Sequence, residues 1–293
     1  MMLPLPSSMV YGSALRRAHS EADFLASTRS PGVALDPSEL KPSVGSAEVF
    51  YILGSGASVL DLSSGNFSSI AEGFSVGVNS WAFHPFVPNI LGLENPRTMD
   101  HDQQVQAINL GLSRPEVVIR NPWVLFFRDS SGPTSRQIVV ESELLSRVRA
   151  YGRIQFSPIG QRRLEKMIGR LLKHQRQDRF PKSVLLDNGS SVIRMINLGL
   201  SLGFKRIVLL GVDMGKTPYF FEEDPSILKA LGVRSFTMTR EKGVHPTQDA
   251  KSRTTTFRQF LVAFASAADD VLGAKIFTGS EPLSDLLETH PWS

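Results

Sequence analysis

The sequence contains no cysteine. That excludes disulfides, thiolate nucleophiles and cysteine-held zinc together. It has no apolar run of about eighteen residues, the length a spanning helix needs, so no membrane span is expected. The N-terminus lacks the basic-then-apolar order of a secretory signal, and the expectation is a cytoplasmic protein. There are three tryptophans and four tyrosines, and no aromatic platform accompanies the basic residues, which argues against nucleic acid as a partner. What is present is globular in kind: 293 residues, 41% hydrophobic and 20% charged, enough to bury a core.

Residues 1–46 hold nine Ser, five Pro and three Gly with no sustained apolar period. They read as a poorly structured leader. Arg16, Arg17 and Arg29 with the serines suggest a transit peptide, but Glu21, Asp23, Asp36 and Glu39 break that pattern. Charge gathers further on. Residues 161–182 carry eight Lys/Arg against two acids, whereas the whole chain has a net charge of only +4. Leu164, Met167, Ile168, Leu171 and Leu172 fall at helical spacing within that stretch, so it reads as an amphipathic basic helix. Its outer face is either simply solvated or meets an anionic membrane or an acidic acceptor.

Short β-type runs recur at 49–53, 74–78, 89–93, 117–120, 124–127, 207–210 and 275–277, and helical patterns at 102–112, 139–150, 161–176, 191–202 and 254–271. The alternation predicts an α/β, Rossmann-like single domain over 47–293, with a mostly parallel sheet and a lid segment at about 214–251. In SSVIRMINLGLSLGFKRIVLLGVD (190–213), the helix carries only Arg194, Asn197 and Ser201 as hydrogen-bonding side chains, so it must be deeply packed. Before it, Asp187-Asn188-Gly189-Ser190-Ser191 offers capping side chains and free amides at a helix N-terminus. Capping and anion binding are equally open there.

Three motifs invite a nucleotide. In YILGSGASVLDL, Gly54 and Gly56 match the first two glycines of a dinucleotide turn, but Val59 stands where the third belongs and the expected acid about twenty residues on is missing. A dehydrogenase is disfavoured, although a glycine turn at a strand end still lets backbone approach a phosphate. The second motif, GVDMGKT (211–217), is one residue short of a P-loop, and Pro218 follows it where a helix is required. Finally, Asp100-His101-Asp102 has the spacing with which carboxylates hold a divalent cation, yet acids before a helix more simply serve as caps. Of six histidines, His245 lies in the polar stretch KGVHPTQD (242–249), in the long connection where a lid would sit.

In this order the segments resemble the bacterial sialyltransferases of glycosyltransferase family 42 and the related motility accessory factor-type proteins, over roughly residues 48–290. YILGSGASVLDL is similar to the family's strand and GNGPSL turn, and GVNSWAF to its strand ending in an Asn-polar pair, here Asn79 and Ser80. LENP carries the second donor-contacting Asn, Asn95. SSVIRMINLGLSLGFKRIVLLGVD, GVHPTQD and TGSEPLSDLL resemble its serine-capped helix and strand, lid histidine and terminal turn. The resemblance implies a GT-A-like variant of the Rossmann-like fold and an inverting, metal-independent transferase. Such an enzyme moves sialic acid, another nonulosonate or Kdo from a CMP donor to a glycan or lipid-linked glycan, with no cofactor. On this likeness Gly54, Ser55, Gly56 and Ser58 line the nucleotide phosphate. Asn79, Ser80, Asn95, Ser190, Asp213 and Lys216 contact the donor, Ser191 contacts the donor carboxylate or phosphate, His245 is general base and Tyr219 holds the leaving phosphate.

This chain departs from the family's pattern at two points: Ser55 replaces the Asn between the glycines, and Gly215 replaces the first of two leaving-group tyrosines. The alternative expectation is therefore a catalytically inactive nucleotide-binding or assembly protein of the same fold. Association with the inner membrane face through 161–182, and self-association, are further expectations.

Overall fold

A computed structural model of the chain describes residues 7–27, 33–94, 101–127, 138, 140, 142–155, 160–214, 218–238, 255–279 and 281–292. Its strands are β1 (Val33–Ala34), β2 (Val49–Leu53), β3 (Phe74–Val78), β4 (Ile90–Leu93), β5 (Trp123–Phe127), β6 (Val148–Gln155), β7 (Val184–Asp187), β8 (Arg206–Leu210), β9 (Lys275–Thr278) and β10 (Glu288–Thr289). They form one sheet in the order β1-β6-β5-β4-β3-β2-β8-β9-β10, with β7 continuing along the outer half of β6. Each of these pairings is parallel.

The helices are α1 (Ser7–Ser27), α2 (Pro37–Val44), α3 (Ser64–Glu72), α4 (His101–Leu112), α5 (Pro115–Arg120), α6 (Gln161–Arg176), α7 (Ser191–Leu202), α8 (Phe220–Glu223), α9 (Ser226–Ala230) and α10 (Phe257–Leu272). They cover both faces of the sheet. Along β2, Phe50 and Ile52 enter one core with α6, α7 and α10, while Tyr51 and Leu53 enter the other with α3 and α4. A strand apolar at every position suits only a sheet buried on both faces, as parallel sheets are. The fold is thus the α/β, Rossmann-like single domain that the alternating pattern implies.

Three expectations give way. The run Val117–Arg120 belongs to helix α5, because Pro115 opens a helical turn and left-handed Asn121 closes it. Residues 142–147 form a 3₁₀ turn, and Val148 onward enters the sheet as β6 between β5 and β7. Pairing with distant strands overrode a local helical spacing there. Within the stretch expected to be a poorly structured leader, the described residues 7–27 and 33–46 are structured. Ala14 and Ala18 of α1 are fully buried, β1 pairs with β6, and Asp36 caps α2 by accepting the Ser38 N–H at 2.8 Å. Leu15 and Ala22 of α1 pack beside Ala14 and Ala18 against the core.

The basic helix forms as expected. α6 buries Leu164, Met167, Ile168, Leu171 and Leu172, and it packs on α10. Arg162, Arg163, Lys166, Arg170, Lys173 and Arg176 are exposed on its outer face, without an ion pair among the described residues. Of the expected lid at about 214–251, residues 214 and 218–238 are described. Residues 218–238 belong to the core: Phe220, Phe221, Leu228, Val233 and Phe236 are buried, and Phe220 and Phe221 pack edge-on against Trp81 and Phe83. No helix among the described residues is long and apolar enough to cross a membrane.

Candidate functional site

Strands β2 to β6 step outward in one direction, and β8 to β10 lie on the other side of β2. Ligands in open parallel sheets bind outside the strand ends at such a reversal. Here the chain itself closes that crevice. Gly54 donates to Leu210 O at 2.7 Å, Gly56 to Gly211 O at 2.9 Å and Ala57 to Pro218 O at 3.2 Å. Ser58 donates its N–H to Asp213 Oδ2 at 2.9 Å and its hydroxyl to Asp213 Oδ1. Ser55 donates its hydroxyl to Val78 O at 3.0 Å, and Tyr219 pairs with Gly56 in an isolated antiparallel bridge.

The glycines have a packing reason. A Cβ on Gly54 would collide with the Gly211 carbonyl, and one on Gly56 with the Asp213 carboxylate. Gly211 itself sits at φ +64, in the left-handed region. Val59, in the place of a third glycine, is buried beside Gly211. A 3₁₀ turn, Ala57–Asp61, follows in place of a long helix. The carboxylate of Asp213 therefore occupies the amide and the hydroxyl of Ser58, a residue to which the sequence likeness assigns a phosphate.

A second cluster forms at the same edge of the sheet, where β3, β4, β5, β6 and β7 end. Asn79, just past β3, has φ 52; asparagine tolerates this left-handed backbone better than most residues. Its Nδ2 donates to Ser191 Oγ at 3.1 Å, and its Oδ1 accepts the N–H of Glu94 at 3.1 Å. Ser191 Oγ donates to Glu94 Oε1, and Arg194 Nη2 donates to the same oxygen. Arg194 Nη1 pairs with Asp187 Oδ2 at 3.0 Å, and Arg153 Nη1 reaches that oxygen at 3.0 Å. Asp187 Oδ1 accepts the amides of Gly189 at 2.7 Å and Ser190 at 2.9 Å.

Both guanidinium groups lie over the Phe127 ring, Arg194 at 4.6 Å and Arg153 at 4.9 Å from its centroid. Burial pulls the Arg194 guanidinium down to about 9. Burial pushes Asp187 up, against the Arg153 charge and the two amides, which pull it down. Buried charges persist only when paired and hydrogen-bonded, as these are.

The α7 N-terminus faces this cluster. Its N-cap is Ser190, whose side chain makes no capping hydrogen bond. Of the two readings left open for this segment, capping by the Ser190 side chain is not formed; Asp187 bonds the Gly189 and Ser190 amides instead. Arg194 Nε is buried and has no acceptor among the described residues.

The structure thus brings Gly54, Gly56, Ser58, Asp213 and Tyr219 together at one crevice and joins Asn79 to Ser191 at the next. Ser80 is buried in the 3₁₀ turn after β3, and Ser190 is buried at the α7 N-cap. Asn95, Asp100, Lys216 and His245 lie outside the described residues. Asp102 is exposed on α4, and no group of three metal-ligating side chains occurs among the described residues. Sequence reasoning missed Glu94, Arg153, Asp187 and Arg194 as a unit. The available signal was a lone arginine in an apolar helix and acids closing two apolar runs.

A cavity of about 370 Å³ opens at the opposite edge, lined by Val44, Glu48, Leu202, Phe204 and Lys205 among others. It lies at the amino ends of β2 and β8, away from both clusters.

Fold and site define a Rossmann-like α/β domain with a buried arginine–carboxylate cluster at the carboxyl edge of its sheet. A scan against protein-family models finds no match, and a search of curated proteins finds none either.

Proposed function

We propose that the protein is an inverting, metal-independent glycosyltransferase that moves an acidic sugar from a CMP donor to a glycan acceptor. The observation that supports this reading best is the convergence of Asn79, Ser191 and Arg194 at the carboxyl edge, beneath an uncapped helix N-terminus. Such donors suit an acid group on a sugar, and the helix end adds partial positive charge. Inversion needs a base for the acceptor hydroxyl. On the family likeness that base is His245, and imidazole is the side chain whose ordinary range allows a neutral base near pH 7. CMP leaves readily, so neutral donors such as Tyr219 suffice to stabilise its growing charge. The outer face of α6 is proposed to hold the enzyme against an anionic membrane that carries the acceptor.

The test is CMP release by purified protein with candidate CMP-sugars. His245→Ala is expected to slow release by about two to four decades. Near-normal turnover would remove His245 as the base.

A second reading is a nucleotide-binding or assembly protein without catalysis. It is favoured by Asp213, whose carboxylate already occupies Ser58 in the glycine turn. On that reading CMP raises the melting temperature while no donor turns over.

A further inference from the structure

We propose that the side chain of Glu94 is a displaceable occupant of a carboxylate-binding subsite built from Arg194, Ser191 and the α7 N-terminus. The proposal rests on the acidic-sugar reading above, which already sets Ser191 and Arg194 at the acid, and it adds the side chain that competes with that acid.

The two carboxylates facing Arg194 are held very differently. Asp187 is fully buried and bonded by two guanidinium groups and two backbone amides. Glu94 keeps 29% of its side chain exposed. Among the described residues its side-chain contacts, from Ser191 Oγ and Arg194 Nη2, both end on the single oxygen Oε1. Its backbone is clipped separately, by Asn79. The carboxylate can therefore turn out to solvent by side-chain rotation alone, without moving the strand end.

The guanidinium shows what this occupant leaves unmet. Nε–H and Nη2 lie along one edge of the planar group and together take the two oxygens of a carboxylate. Glu94 engages only Nη2, while Nε stays buried without an acceptor among the described residues. A buried donor left unpaired destabilises the state that leaves it so. A ligand carboxylate entering from the exposed side would take Nη2 and Nε through its two oxygens and accept the Ser191 hydroxyl as well.

Charge supports the exchange. Within the cluster Arg153 and Arg194 balance Asp187 and Glu94, so withdrawing the Glu94 carboxylate leaves one net positive charge for an incoming anion. A competitor that fills the subsite in about nine molecules of ten weakens apparent ligand affinity tenfold.

The test titrates the full chain with N-acetylneuraminate, as a free sugar carboxylate, and in parallel with inorganic phosphate, by calorimetry and thermal shift. Glu94→Ala is expected to bind the sugar acid about tenfold more tightly than wild type, and Arg194→Lys, lacking the two-donor edge, at least tenfold more weakly. Circular dichroism checks that each variant folds. The Glu94→Ala comparison stands alone if Arg194→Lys does not fold. Equal affinity of wild type and Glu94→Ala for the sugar acid overturns the proposal, as does tightening toward phosphate alone. CMP release is scored separately. Tightened carboxylate binding without release from any donor overturns only the transferase reading, whereas release with no Glu94 effect overturns only the displaceable carboxylate.

Discussion

Two crevices open side by side at the carboxyl edge of one parallel sheet, and they are filled in opposite ways. Between β2 and β8 the amides of Gly54, Gly56, Ala57 and Ser58 all have acceptors within the chain, and the segment 218–238 packs over them. Beyond β3 the groups are charged, one carboxylate reaches solvent, and one buried N–H is without an acceptor among the described residues. The lesson is that a glycine turn is not a phosphate site by virtue of its glycines. Close approach of backbone to backbone demands the same residue as close approach of backbone to ligand. The crevice with the weaker sequence motif has the more available chemistry.

The largest effect is expected where the charged crevice is broken. Arg194→Met leaves Asp187 buried with Arg153 as its remaining ion-pair partner, and removing one partner of a buried pair costs about 3–5 kcal/mol. Urea unfolding measures it; a loss under 1 kcal/mol would mean the cluster contributes little to the fold.

Next is a pH effect on the sealed crevice. His84 stacks on Trp81 at 4.2 Å between centroids, accepts the Phe86 N–H on Nδ1 at 3.0 Å and meets Phe220 edge-on. Burial, with the Arg114 charge, pulls its value down from 6.5 to about 4. The unfolded chain then takes up the proton first as pH falls. The stability associated with neutral His84 is complete above pH 6.5 and is lost progressively down to about pH 4, a change of about 3 kcal/mol. Urea midpoints at pH 7, 5.5 and 4 should trace it, and His84→Phe should flatten the trend.

A smaller loss, about 1–3 kcal/mol, is expected for Gly54→Ala, whose Cβ meets the Gly211 carbonyl. If that variant is as stable as wild type, the seal is looser than the hydrogen bonds indicate. The smallest effect concerns neither crevice but the outer face of α6. Reversing Lys166 and Arg170 to Glu should weaken binding to anionic vesicles by about 1 kcal/mol for each cation lost, and added salt should do the same. Equal binding to neutral vesicles would remove the membrane from the proposal.

Much of the scaffold was legible locally. Val49–Leu53 and Phe74–Val78 form strands with the expected limits, as Gln161–Arg176 and Ser191–Leu202 form helices, because an apolar period records which face is buried. The errors share a cause. Val117–Arg120 looked like a strand by its β-branched residues, and its proline and asparagine boundaries decided otherwise. β6 and β7 were missed because what makes them strands is their pairing with each other and with β5. Of the site, Asn79 and Ser191 were singled out individually. Nothing local revealed that they bond each other 112 residues apart.

By itself the sequence determined the α/β class, the helix packed nearly all round with apolar residues and the basic face of α6, whereas the need for glycine at 54 and 56 comes from Gly211 and Asp213 far along the chain. The first three follow from periodicity, which short stretches of chain contain in full. Only the tertiary structure decided that Asp213 meets Ser58 across 155 residues and that Glu94 meets Arg194 across 100. Such pairings depend on which strand ends become neighbours, and sheet order is settled by the packing of the whole chain.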